Sequence, residues 1–265
     1  SPGGDTTGSA FYFMATNNAG GTNGVLMTDL APDLSTPWSE MSALPAVTNS
    51  TAVLLNWSAG DMQNDIERFE IQYRFNNGAW TDWTTKPGAA ARSAWFIGQP
   101  GAYQFHIRAV DMAGNQEAYP SGAEAATTMN AVCTNDASEP TNNTRAGATL
   151  LAPSETRELI LCQNDTDWVA FQAQKDVEYA LLFISAGGGA SVQARLYDPS
   201  GNTILAQGQA PAGAGQGLAL RWQAPANGTY TIEIRPANTA VYGSDARIRI
   251  YAGPGRWSYL PVAGR

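Results

Sequence analysis

Apolar and polar residues alternate with period two in three separate runs of the first half of the chain. Such alternation gives a β-strand one apolar face and one largely polar face. The apolar positions are Val53, Leu55 and Trp57; Phe69, Ile71 and Tyr73; and Tyr103, Phe105, Ile107 and Ala109. Turn-forming residues separate the runs, as in Asn76-Asn77-Gly78 and Gln99-Pro100-Gly101. Short strands at this spacing predict an antiparallel β-sandwich.

A second set of strands follows a shift to small residues after Pro120. No convincing amphipathic helix interrupts either set, so we predict an all-β chain with two antiparallel sandwich domains. We expect an immunoglobulin-like or fibronectin-like domain over 38–128 and a jelly-roll-like domain over 129–253. A partial β module and linker (1–37) precede them, and a C-terminal tail (254–265) follows. The expected strands of the second domain are 159–161, 168–172, 179–184, 194–197, 218–222, 230–234 and 248–251.

The N-terminal segment repeats part of the first sandwich, because residues 11–21 parallel residues 105–115. It is similar to the last two strands of a module whose earlier strands are missing, and two lone strands are not stable in water. Three interpretations stay open: a remnant that packs on the neighbouring module, a donor segment that fills a groove in another chain, and disorder. The residues expected to make the assembly contact are Phe11, Tyr12, Phe13, Val25, Leu26 and Met27.

Charge and length exclude several functions. The chain has 265 residues, with 15 Lys and Arg against 23 Asp and Glu, and a net charge of −8. Nucleic acids and anionic lipids are therefore poor partners. No apolar run reaches the roughly 18 residues that a membrane-spanning helix needs. The chain opens with Ser1-Pro2-Gly3-Gly4, from which we expect a processed piece of something longer.

The two cysteines, Cys133 and Cys162, form an even pair in a turn-rich, acidic chain. We predict a disulfide and an extracellular or cell-surface location, because disulfides persist in oxidising compartments. Two unrelated free thiols are the alternative.

The segment from Trp38 to Thr128 resembles a fibronectin type III or related immunoglobulin-like module. Trp57 lies where such modules bury a tryptophan, and Pro100-Gly101-Ala102-Tyr103 resembles their tyrosine corner. The run from Tyr103 through Asp111 to Ala113-Gly114-Asn115 is similar to the penultimate strand and turn of bacterial members. The resemblance implies a sandwich in which the hydroxyl of Tyr103 bonds back to the chain just upstream.

The segment from Cys133 to Gly253 resembles the bacterial pre-peptidase C-terminal domain, a β-sandwich attached to secreted hydrolases. The matching stretches are Glu139-Pro140-x-Asn142-Asn143-Thr144, 164–171, 196–201 and 224–234. Collagen-binding relatives hold calcium near the start of this domain. The resemblance therefore implies a calcium site, and we expect its ligands to be Asp136, Glu139, Asn143, Asp165 and Asp167. The alternative is that these side chains cap turns by bonding to the backbone.

Catalysis has no support in the motifs. His106 is the single histidine, and the alternation places it on the polar face of its strand, where we expect it to be exposed. No nucleophile elbow and no phosphate-binding loop occurs. Trp80 and Trp83 are spaced to lie on opposite strand faces, one in the core and one at an interface; a carbohydrate platform is the alternative.

These features predict a non-enzymatic extracellular structural or adhesive protein. We expect it to associate with itself or with neighbouring modules, as a subunit of a surface fibre assembled by strand complementation through the N-terminal segment. The alternative is an accessory substrate-binding region of a secreted peptidase or glycosidase, which would hold a polymeric ligand such as collagen or polysaccharide.

Overall fold

The computed structural model describes residues 33–211 and 213–255. Both described segments consist of β-strands and connecting turns, which confirms the all-β prediction. Helical structure in the described residues is limited to two 3₁₀ turns, Thr141–Asn143 and Arg145–Gly147, and neither could cross a membrane. Our expectations for residues 1–32 and for the end of the tail lie outside the described residues.

The first module is a sandwich of two sheets. One sheet consists of β1 (Trp38–Met41), β3 (Ala52–Gly60) and β6 (Ser93–Ile97). The other consists of β2 (Val47–Thr48), β4 (Ile66–Phe75), β5 (Thr81–Asp82), β7 (Gly101–Asp111) and β8 (Ala125–Met129). Their strand orders are β1-β3-β6 and β2-β8-β7-β4-β5. All pairs are antiparallel except the short β2–β8 pair, which is parallel.

The apolar face of each alternating run packs into the core of this module. Leu55, Phe69 and Phe105 have no exposed surface, and the ring of Trp57 packs edge-on against Phe69 at 5.4 Å. The side chain of Tyr103 is buried and hydrogen-bonds to the backbone of Gln99, just upstream, as expected for a tyrosine corner.

The second module is also a sandwich. Its first sheet contains β10 (Thr156–Ile160), β12 (Glu178–Gly187), β15 (Leu218–Gln223) and β17 (Arg247–Pro254). Its second sheet contains β9 (Thr149–Leu150), β11 (Asp167–Ala173), β13 (Val192–Tyr197), β14 (Ile204–Gln209) and β16 (Gly228–Pro236). The orders are β10-β17-β12-β15 and β14-β13-β16-β11-β9, with the short β9–β11 pair parallel. The strands β9 and β14 are additions to those expected from the sequence.

Backbone hydrogen bonds join the two modules. The amide of Thr51 donates to Tyr242 O at 3.1 Å, and the amide of Asp245 donates to Asn49 O at 3.2 Å. In return, a carboxylate oxygen of Asp245 accepts from the Asn49 amide at 2.7 Å. Gly243 permits this approach, because a Cβ there would lie 2.0 Å from Asn49 O and its φ is 127°. The side chain of Ala52, from the first module, is buried in the core of the second, so the modules meet through a packed interface.

The expected exposure of His106 is wrong. Its side chain lies on the outer face of β7, but only 3% of the residue is exposed. The ring stacks between Trp80, with centroids 3.7 Å apart, and Tyr119, at 4.6 Å. Its Nε2 lies 2.8 Å from Oε1 of Gln72. Side chains from the β4–β5 hairpin and the β7–β8 loop therefore cover a sheet face that local alternation marks as polar.

This burial predicts a measurable pH dependence. Loss of water around the ring lowers the pKa of His106 below its ordinary value of 6.5. As pH falls below 6.5, the imidazole becomes protonated in the unfolded chain while it is still neutral in the folded chain. The contribution of His106 to the free energy of unfolding therefore decreases as pH falls below 6.5. We expect the single histidine resonance to titrate below 6.5 by NMR. The difference in unfolding free energy between wild type and His106→Gln should decrease from pH 7 to pH 5.5. A histidine that titrates above 6.5 would contradict this expectation.

Candidate metal centre

The start of β11 and the segment after Cys133 meet at one end of the second module. A disulfide links Cys133 and Cys162, with Cα atoms 5.7 Å apart, so that prediction is confirmed. The bond holds the chain around residues 136–143 beside the turn that leads into β11. Asn164 occupies a left-handed conformation in this turn, with φ 61°, which asparagine adopts more readily than most residues. The turn reverses the chain and delivers Asp165 and Asp167 to the same place.

Three carboxylates converge there. Glu139, Asp165 and Asp167 each offer a carboxylate oxygen, and these oxygens all lie within 4.8 Å of one another. Asp167 has no exposed surface, while Glu139 and Asp165 are half-buried. No ion pair within the described residues involves any of the three. The cluster is therefore a partly buried concentration of acidic groups that no cationic side chain of the described part of the chain balances.

Several oxygen atoms at this place are buried without a hydrogen-bond partner. With both carboxyls ionised, they include Oδ2 of Asp167, Oε1 of Glu139 and Oδ1 of Asn142. A proton on one of the two carboxyls allows Glu139 and Asp167 to hydrogen-bond to each other. Asn142 is fully buried, and its side-chain amide nitrogen donates to Oδ1 of Asp167 at 2.5 Å. The side-chain oxygen of Asn142 takes no part in that bond. A buried polar atom without a partner costs free energy, and a run of such atoms in one place requires an explanation.

The other residues expected at the site have different roles. Asp136 accepts hydrogen bonds from the amides of Ser138, at 2.7 Å, and Ile160, at 3.0 Å, so its carboxylate holds the backbone. The side chain of Asn143 hydrogen-bonds to Glu139 but is exposed. Asp165 caps its own turn as well, because its Oδ1 accepts from the amide of Thr166 at 2.8 Å. The turn-capping alternative therefore describes Asp136 and one oxygen of Asp165, while Glu139, Asp165 and Asp167 form the cluster.

Burial and mutual repulsion shift the acidities of all three carboxyls. Burial, followed by the charges of Asp165, Asp136 and Glu139, raises the pKa of Asp167 to about 8. Burial and then the charge of Asp165 raise the pKa of Glu139. Burial also raises the pKa of Asp165. Without a cation, the folded cluster therefore retains a proton on Asp167 at neutral pH, which relieves part of the repulsion.

The donor set fits a hard cation. Its members are carboxylate and amide oxygens, which calcium and magnesium prefer, and it contains no thiolate or imidazole of the kind that zinc or copper sites use. The unpartnered oxygens of Glu139, Asp167 and Asn142 are free to act as ligands. Calcium accepts six to eight oxygens in irregular arrangements, so backbone carbonyls or water would complete its shell.

A second group of acidic side chains lies at the far end of the first module. Carboxylate oxygens of Asp33, Asp65 and Asp111 approach within 4.8 Å of one another. Asp111 is the fully buried member, and its two oxygens accept from the backbone and side-chain nitrogens of Asn115 at 2.7 and 2.8 Å. The buried carboxylate therefore has partners already, although Oδ2 of Asp33 and Oδ1 of Asp65 are buried without one. This group differs from the first cluster in that Asn115 satisfies its fully buried member.

Comparisons with known proteins give similarities to solved structures alone. No family model and no curated protein matches the chain. A pre-peptidase C-terminal domain of collagenase from Bacillus anthracis is 16% identical; the match covers 40% of this chain and 93% of that domain, with a TM-score of 0.31. The FN1–FN3 domains of chicken CNTN1 are 12% identical, with coverage of 83% and 99% and a TM-score of 0.27. A surface-associated copper-binding protein, CorA, important in Methylomicrobium album BG8 copper acquisition, is 8% identical, with coverage of 41% and 98% and a TM-score of 0.35. Both kinds of module that the sequence resembles are represented among these structures.

Proposed function

We propose that the chain is a non-enzymatic extracellular structural or adhesive protein, and that its second module binds calcium at the cluster of Glu139, Asp165 and Asp167. The disulfide favours an oxidising compartment. The packed interface between the modules favours a unit of defined shape over two freely hinged domains.

The observation that carries the calcium proposal is the fully buried carboxylate of Asp167. When this carboxylate is ionised, its Oδ2 lacks a hydrogen-bond partner and faces two further carboxylates. A divalent cation would supply the missing partner and neutralise the repulsion in one step. Calcium would then tie together three parts of the chain: the segment of Glu139, the turn of Asp165 and the first residue of β11. A calcium titration of the melting temperature tests this proposal.

Self-association is the second part of the proposal, with residues 9–27 as the contributed segment. The repeat of the first module's strand pattern in this segment supports it. Each described sheet also ends in strands that lack a further neighbour in the ladder, among them the six-residue β14. Such edges expose backbone donors and acceptors that an added strand can pair with.

We expect the full chain to form larger assemblies and a variant lacking residues 1–32 to remain monomeric. The truncated variant keeps both described cores, so it should fold. Light scattering and negative-stain electron microscopy at matched concentrations measure the difference. Assemblies that persist without residues 1–32 would contradict the role of this segment, and so would a full chain that remains monomeric.

An accessory substrate-binding region is the second candidate function. It is favoured by an aromatic cleft of about 710 Å³ in the first module. This volume is within the range of small-molecule sites.

A further inference from the structure

The aromatic cleft lies on the open side of the first sandwich, between β5 and β6. Strand β5 has two residues and pairs with β4 alone, and β6 pairs with β3 alone, so no strand of residues 33–211 and 213–255 closes the gap between the two sheets there. The residues lining the cleft are Tyr73, Phe75, Gly78, Ala79, Thr81, Trp83, Thr84, Phe96, Ile97, Gly98, Gln99 and Tyr103.

Five aromatic rings form the body of the cleft. Phe96 and Tyr103 are buried, while Tyr73, Phe75 and Trp83 are half-buried. The rings are in mutual contact: centroids are 5.0 Å apart for Tyr73 and Phe96, 5.1 Å for Phe75 and Tyr103, and 5.7 Å for Trp83 and Phe96. The half-buried rings are thus held in place by core neighbours, which is the preorganisation that a binding site needs.

The polar groups at the cleft are uncharged. Thr81, Thr84 and Gln99 are exposed and can donate and accept hydrogen bonds. None of the lining residues is Asp, Glu, Lys or Arg. Among these lining residues an anionic ligand would find no cationic partner, and a metal ion would find no carboxylate.

Trp80 does not contribute to such a site, although it is close in sequence. One face of its ring is covered by His106 at 3.7 Å, and the guanidinium of Arg74 lies 5.0 Å from its centroid. Of the two tryptophans considered from the sequence, Trp83 is the one that lines the cleft.

We propose that this cleft binds a neutral saccharide. A sugar ring presents apolar C–H faces that pack on aromatic rings, and its hydroxyls match threonine and glutamine side chains. The ligand class follows from the combination of fixed aromatic rings, uncharged hydrogen-bonding groups and absence of charge at the cleft. The proposal depends on neither calcium binding nor self-association.

The test is calorimetric titration of the full chain with neutral tetrasaccharides of glucose, N-acetylglucosamine and mannose. We expect at least one to bind. Trp83→Ala should weaken that binding by at least about tenfold, since a central aromatic contact is lost. Thr84→Ala, which changes an exposed residue and keeps the aromatic core, should weaken it several-fold. Trp38→Ala removes a half-exposed tryptophan of the same module that lies outside the cleft, and it should leave the affinity unchanged.

Three results would overturn the proposal. The first is that no tetrasaccharide binds at millimolar concentration. The second is binding that neither Trp83→Ala nor Thr84→Ala weakens. The third is that the cleft binds a different ligand. In that case the tryptophan indole NMR signals would change on addition of choline, or of a peptide copying residues 9–16, but not on addition of any saccharide. The two probes distinguish a cation held by aromatic rings from an added strand.

Discussion

If the cluster binds calcium as proposed, calcium should raise the melting temperature of the second module by about 10 °C when free calcium exceeds the dissociation constant about 100-fold. This follows from the roughly 2.7 kcal/mol that such an excess contributes and from the size of the module. The physical reason is that the cation replaces one retained proton and satisfies the buried Oδ2 of Asp167. Differential scanning calorimetry in calcium and in a chelator measures the shift.

A double variant makes the calcium prediction specific. Glu139→Gln with Asp165→Asn keeps the shapes of both side chains and removes two of the three carboxyl groups of the cluster. We expect it to melt higher than wild type in chelator, because like-charge repulsion around Asp167 is reduced to that of Asp136, and to gain little from calcium. Asp176→Asn is the matched control, since it removes an exposed carboxylate of the same module. Its response to calcium should equal that of wild type.

The calcium-induced shift in melting temperature should depend on pH in a defined direction. In chelator, the folded chain holds a proton on Asp167 up to about pH 8, while an unfolded aspartate loses it near 3.8. Stability without calcium therefore falls as pH rises between these values. Calcium must displace that proton, so the calcium-induced shift should grow from pH 6 to pH 8. A melting temperature that calcium leaves unchanged across this range would contradict the metal site.

Local alternation was sufficient to predict much of the architecture. The inward positions of β3, β4 and β7 follow from period two, because each of those strands has one face against the core. The strand β14 was missed because Ile204–Gln209 contains glutamine, glycine and alanine instead of alternating large residues. The burial of His106 could not be predicted from the local pattern either, because the rings that cover it, Trp80 and Tyr119, belong to other segments of the chain.

At the candidate metal centre, too, some features could be predicted from the sequence and others could not. The sequence named Asp136, Glu139, Asn143, Asp165 and Asp167 as calcium ligands, and the binding of calcium there stays a prediction. The sequence could not specify which of two adjacent asparagine side chains, Asn142 or Asn143, faces inward. The 3₁₀ turn Thr141–Asn143 buries Asn142 and leaves Asn143 exposed, so of these two asparagines Asn142 is the one that faces the cluster. Likewise, the interface between the modules pairs Asn49 with Asp245, and nothing in either neighbourhood marks that contact.

Removing the disulfide with Cys133→Ser and Cys162→Ser should lower the free energy of unfolding of the second module by about 3–4 kcal/mol, as expected for a loop of this length. The bond joins residues 29 apart in sequence.

The disulfide also ties the segment of Glu139 to the turn of Asp165, so the variant must order these ligands when calcium binds. We therefore expect the calcium-induced rise in melting temperature to shrink as well. Urea unfolding with and without calcium measures both effects. Equal calcium responses in wild type and variant would show that the bond does not position the cluster, and unchanged stability in chelator would show that it does not constrain the unfolded chain.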